Sequence, residues 1–87
     1  MSVRAQIDGA GDGEVLSFDG KVYALVSNEA FAPGAPLAFV VDGEQTKHRF
    51  MGKSIGSKRR EDGRFDVRAR PVNLRRVDRE ALLAKLG

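Results

Sequence analysis

Thirteen of the chain's fifteen lysines and arginines lie after residue 45. Lys58, Arg60, Arg64, Arg68 and Arg70 fall in one short stretch, and Arg75, Arg76 and Arg79 follow it. The chemistry such residues do is anion recognition. A guanidinium offers a planar fork of donors to a carboxylate or phosphate, and an ammonium offers a compact point charge. Residues 1–45 hold two basic groups against seven acidic ones, a net −5, whereas residues 46–87 hold thirteen against five, a net +8. Such asymmetry suggests an anionic partner for the second half; the alternative is that the two halves neutralise one another across the fold.

Residues that make and break bonds are scarce. His48 is the single histidine. With no second ligand at metal spacing and no oriented partner in view, it reads as a strand surface residue. There is no cysteine, hence no disulfide and no thiolate metal site. Gly52-Lys53-Ser54 has the look of the end of a phosphate loop, but the first glycine of that motif is missing upstream and no helix follows. No pair of carboxylates and no activated nucleophile stands out. The chain is therefore expected to bind rather than to catalyse, with no metal and no cofactor. Tyr23, Phe31 and Phe50 are the aromatics available for stacking on bases, yet six aromatics in all are too few for an interleaved nucleic-acid surface. Tyr23 and Phe50 are assigned to the core. Phe31, in a polar loop, is expected to be exposed as a contact for a partner.

The elements that must carry these residues are short and mostly extended. Val3, Ala5 and Ile7 alternate with Arg4 and Gln6, as a half-buried strand does. Gly9, Gly11 and Gly13 predict a polar loop. Asp19-Gly20 between the apolar runs 14–18 and 21–27 predicts a hairpin. Val22-Tyr23-Ala24-Leu25-Val26 is apolar on both faces, which predicts a central or covered strand. A loop follows over 27–36, with Pro33-Gly34 suited to a type II turn. Leu37, Phe39 and Val41 share one face of the next strand, and Asp42-Gly43 turns the chain. A long strand from about 47 to 58 contains Gly52 and Gly56, which predict a bulge or strong bend. Pro71 marks the end of the strand that holds Phe65, Val67 and Ala69. Asp78 is the expected N-cap of a final helix, with Val77 and Leu82 as a hydrophobic staple. Leu82, Leu83 and Leu86 form its apolar stripe. A helix that short must dock to persist.

The register of the basic hairpin follows from its buried face. A two-residue Asp62-Gly63 loop would set Phe65, Val67 and Ala69 beside Arg60, Lys58 and Gly56, mixing apolar groups with charge. A three-residue loop, Glu61-Asp62-Gly63 with Gly63 left-handed, sets them beside Arg59, Ser57 and Ile55 instead. The three-residue loop is thus expected, with Lys58, Arg60, Arg64, Arg68 and Arg70 outward around Asp66 and with Arg75 and Arg76 extending the patch toward the helix.

The second half resembles the PilZ domain, a bacterial barrel that often binds cyclic di-GMP. The likeness covers roughly residues 14–86. It lies in Pro33-Gly34-Ala35-Pro36-Leu37 as the turn into an outer strand, the strand over 47–58, Asp62-Gly63-Arg64-Phe65-Asp66-Val67 as the return strand, and an ending, Val72-Asn73-Leu74-Arg75-Arg76-Val77-Asp78-Arg79-Glu80-Ala81-Leu82, that runs a last strand into a helix. The family's nucleotide motifs are an arginine pair four residues apart before the barrel and an Asp/Asn-x-Ser-x-x-Gly signature. Here Arg4 stands alone with Asp8 four residues on, and in Leu25-Val26-Ser27-Asn28-Glu29-Ala30 only Ser27 matches. The resemblance therefore implies a degenerate member, a protein-binding adaptor that does not take up cyclic di-GMP.

The resulting expectation is a mainly β, single-domain chain over 1–87: a small antiparallel barrel of six or seven strands within about 2–74, closed by a helix over about 79–86. No apolar run approaches the roughly 20 residues of a membrane helix, and the N-terminus has no signal-like run. A cytoplasmic, bacterial regulatory adaptor is expected, the source being inferred from ten arginines against five lysines. Its partner is expected to be a protein with an acidic surface, the alternative being nucleic acid held by its phosphates.

Overall fold

Period-two alternation of apolar residues, interrupted every few residues by Gly, Pro or Asp, gives six strands. The computed structural model describes residues 2–87. Strands β1 (Val3–Ile7), β2 (Gly11–Phe18), β3 (Tyr23–Ser27), β4 (Pro36–Asp42), β5 (Lys47–Arg59) and β6 (Phe65–Pro71) precede one helix, α1 (Arg76–Leu86). The strands close into a barrel in the order β1-β2-β3-β6-β5-β4, every ladder antiparallel. Closure leans on a narrow seam, since β1 meets β4 only through Gln6↔Val40 and Ile7↔Phe39. Among the described residues no helix is long and apolar enough to cross a membrane.

Inward residues of the strands fill the barrel: Ile7, Val15, Leu25, Phe39, Phe50 and Val67 are each no more than 3% exposed. Four aromatic rings form one cluster inside the barrel. Phe39 stacks on Phe50 at 5.0 Å, and Tyr23 approaches Phe39 edge-on at 5.1 Å and Phe18 at 4.7 Å. Such pairs add about 0.5–1.5 kcal/mol each beyond the area they bury.

Two turns differ from expectation. The glycine loop over 9–13 shrinks to a tight turn, with the Ala10 N–H donating to the Ile7 carbonyl, and β2 already begins at Gly11. Gly13 lies within that strand because a β-carbon there would sit 2.5 Å from the Val26 carbonyl oxygen and from Ile7 Cδ1. After Phe18↔Tyr23, the last pair of the β2–β3 ladder, the loop runs over 19–22, longer than a two-residue Asp-Gly turn. The Asp19 carboxylate accepts the Lys21 and Val22 N–H groups, both at 2.8 Å, and those bonds hold it below the usual carboxylate range. The Pro33-Gly34 turn forms as expected: Gly34 has φ +85° and the Ala35 N–H donates to the Ala32 carbonyl at 3.0 Å.

The helix also starts earlier than its sequence suggests. Asn73 adopts φ 53° and redirects the chain, and Arg75 is extended (φ −78°, ψ 148°) at the N-cap position with no side-chain cap. Asp78 is not the cap; it sits in the first turn, where its charge suits the helix dipole. Val77 is 54% exposed, so no staple forms, and Leu83 is 37% exposed. Leu82 alone is fully buried, with Leu86 packed beside it. The helix lies on β2 and β5 and covers the barrel end that holds Phe18 and Tyr23.

Candidate functional site

The β5–β6 hairpin has the three-residue loop that its buried face demands. The Arg60 N–H donates to the Arg64 carbonyl at 2.7 Å, the Gly63 N–H to the Arg60 carbonyl at 3.1 Å, and Gly63 has φ +85°. Ser57 therefore pairs with Val67, Lys58 with Asp66 and Arg59 with Phe65. The register shifts between Ser54 and Gly56, so Ser54, not Ile55, stands opposite Ala69. Ile55 is the bulge and is 42% exposed. This bulge reverses which alternate residues of β5 face inward. Before it Phe50, Gly52 and Ser54 are buried, which turns Met51 and Lys53 outward.

The seven basic residues singled out in the sequence do not form one patch. Lys58, Arg68 and Arg70 are exposed and have no ion-pair partner among the described residues. Arg60 is spoken for: its Nη1 donates to Asp66 Oδ1 at 2.7 Å and its Nε lies 3.7 Å from Asp62. The hydrogen bond it donates to Asp66, and then the Asp66 charge, hold the Arg60 guanidinium protonated still more firmly. Arg64 is partly buried at the hairpin tip, where it shares a hollow with Arg4, Asn28, Asp12 and Glu14. Arg75 pairs with Asp78 at 3.6 Å and Arg76 with Glu80 at 3.0 Å. The tip and the helix also lie toward opposite barrel ends. Phe65 pairs with Ser27 near the tip and Ala69 with Tyr23 near the helix, about 13 Å apart at strand rise.

What the fold does gather is a tilted band across the outer face of β4, β5 and β6. Lys53 pairs with Pro36 on one side and Arg70 on the other. In the adjacent row Met51, 48% exposed, lies between Ala38 and the Val72 N–H, which donates to the Met51 carbonyl at 2.9 Å. Arg68 and Lys58 continue the band toward the tip, beside Ile55. Lys53 escaped sequence reasoning because the parity read backward from the hairpin points it inward. The signal that finds it is the alternation Phe50, Gly52, Ser54 ahead of the bulge.

Two other residues depart from their expected places. Phe31 is partly buried against the core, not exposed. Its N–H donates to Ser57 Oγ at 2.7 Å, and its carbonyl accepts from Ser54 Oγ at 3.0 Å and Ser57 Oγ at 2.7 Å. The 27–36 loop is thereby stitched to β5. His48 is no surface residue either. Its Nδ1 lies 2.8 Å from Asp78 Oδ1, with the two side chains 15% and 16% exposed. This pair joins β5 to α1, and its members stand thirty positions apart in the chain, so no local spacing announces it.

Tyr23 lies beneath the same helix, fully buried, its hydroxyl without a hydrogen-bond partner among the described residues. Burial, and then the Asp78 charge, push its pKa from the ordinary 10 up to about 12. Folding thus favours the protonated phenol. The associated stability, about 2–3 kcal/mol, is whole below pH 10 and is lost as pH rises through about 12. Tyr23 is the only tyrosine, so tyrosinate absorbance reads it directly. We expect that absorbance to rise near pH 12, together with unfolding. Tyr23→Phe should keep the fold or gain up to about 1 kcal/mol and blunt the alkaline loss. A phenol titrating at its ordinary value would show that the hydroxyl reaches water.

Comparison with family models, with curated proteins and with solved structures finds no match to this chain.

Proposed function

We propose that this chain is a binding module, a PilZ-like regulatory adaptor, that docks an acidic protein surface on the outer face of β4, β5 and β6. The observation that carries this reading is the gathering of Lys53, Lys58, Arg68 and Arg70, exposed and without ion-pair partners among the described residues, around exposed Met51 and Ile55. Cations packed side by side on facing strands repel one another, and an anionic partner relieves that. The apolar pair inside the basic face favours protein over nucleic acid. A protein interface has an apolar centre and a charged rim, whereas a phosphate backbone gains nothing from methionine and isoleucine. Base stacking is also poorly served, because Phe18, Tyr23, Phe39 and Phe50 are all inside the barrel. The PilZ-like part of this reading rests on the sequence likeness over roughly residues 14–86. Cyclic di-GMP does not belong to this reading. The hollow that holds Arg4 and Arg64 also holds Asp12 and Glu14, which oppose a phosphate there.

The test is a double charge reversal, Arg68→Glu with Arg70→Glu. Both positions are exposed, so the melting curve should stay within about 0.5 kcal/mol of wild type. Capture of a nuclease-resistant protein partner from host lysate should fall at least tenfold, roughly 1.4 kcal/mol. Undiminished capture by the folded double variant would remove the face from consideration. Nuclease-sensitive capture that collapses between low and physiological salt would transfer it to nucleic acid.

A further inference from the structure

The basic band borders an apolar hollow of about 310 Å³ on the outside of the barrel, lined by Pro36, Ala38, Met51, Val72, Lys53 and Asp8. A closed barrel has no unpaired strand to offer along this face, so a partner must be read here through side chains and not by strand addition. The side chains stand in ordered rows. Ala38, Met51 and Val72 make an apolar row. Lys53 and Arg70 make the next, and Arg68 lies beyond it, two residues along β6 from Arg70. Successive outward residues of one strand are about 6.6–6.8 Å apart, the distance between alternate side chains of any extended chain.

Resting on the reading above, we infer that the partner presents an extended segment whose single bulky apolar side chain enters the Met51 hollow and whose acidic residues, two and four positions away, meet first Lys53 and Arg70 and then Arg68. Charge complementarity selects the segment, and the apolar row sets its register. An acidic surface lacking the apolar residue satisfies the cations but leaves Met51 in water. A phosphate backbone has no apolar group to place in the hollow.

The test uses two fluorescent synthetic peptides of equal charge, one containing Leu-Ser-Asp-Ser-Glu and the other Ser-Ser-Asp-Ser-Glu, together with a DNA oligonucleotide. The binders are the wild-type chain, Met51→Ser, and the pair Lys53→Glu with Arg70→Glu. All these positions are exposed, and matching thermal melts will confirm that each variant is folded. We expect the leucine peptide to bind wild type about tenfold tighter than its serine twin, as burial of one leucine side chain supplies. Met51→Ser should erase that margin while the serine peptide binds as before, and the double reversal should abolish binding of both peptides. Equal affinity of the two peptides for wild type would overturn the hollow as a register site while leaving the basic face standing. If neither peptide binds, whether or not the oligonucleotide does, the reading of the face falls and this inference with it.

Discussion

Phe39→Ala is expected to cost about 3–5 kcal/mol, a large share of the roughly 4–13 kcal/mol available to a domain of this size. Phe39 is 0% exposed and sits where the barrel closes, its backbone pairing with Ile7 on β1 and Phe50 on β5. Its ring stacks on Phe50 at 5.0 Å and receives the edge of Tyr23 at 5.1 Å. Removing it leaves a void that a barrel, held by ladders all round, cannot readily shrink to fill. The melting temperature should fall by more than about 12 °C, read by circular dichroism. A melt within a few degrees of wild type would mean that the aromatic centre repacks.

The second large effect concerns the helix. Leu82→Ala should cost about 2–4 kcal/mol, because Leu82 is the one fully buried side chain that α1 contributes, at 1% exposure. Leu83→Ala, at a position 37% exposed, should change stability by less than about 0.5 kcal/mol. The contrast between neighbouring leucines separates docking from helix propensity, since alanine is the better helix former at either site. Matched urea titrations decide it. Equal, small losses at both positions would show that the helix does not seal the barrel end.

Much of the barrel is legible in the sequence. Ile7, Leu37, Phe39, Val41, Val67 and Ala69 face inward because period-two alternation leaves a half-buried strand no other choice. The Glu61-Asp62-Gly63 loop was readable for the same reason, as only that register keeps charge off the core beside Val67. The readings that failed depend on contacts distant in sequence. Gly52 and Gly56 announce a bulge, but parity counted back from the hairpin turn does not survive the extra residue at Ile55, and Met51 and Lys53 face outward. Asp78 has the composition of a cap, yet Asn73 turns the chain early and His48 takes the carboxylate. Arg60, Arg75 and Arg76 look free in a charge count and are engaged by Asp66, Asp78 and Glu80 in space. Phe31 stands in the irregular 27–36 loop with no strand or helix pattern to place it, and the hydroxyls of Ser54 and Ser57 fold it back onto the barrel.

The strand order has a consequence for how the molecule comes into being. Strands β1 to β3 and β4 to β6 are two consecutive meanders whose internal ladders join neighbours in sequence. Their ladders join only where β3 meets β6, which brings Tyr23 to Ala69, and at the narrow β1–β4 contact. On a ribosome the first meander emerges with one side of β3 bare, and it stays so until β6 has been made. Closing the ring over so long a stretch of chain is entropically slow, and all-β folds dominated by such distant pairings form in about milliseconds to seconds. During that interval the bare flank of β3 carries Leu25 and Val26, both buried in the finished molecule, and the nascent chain is most open to sticking to its neighbours.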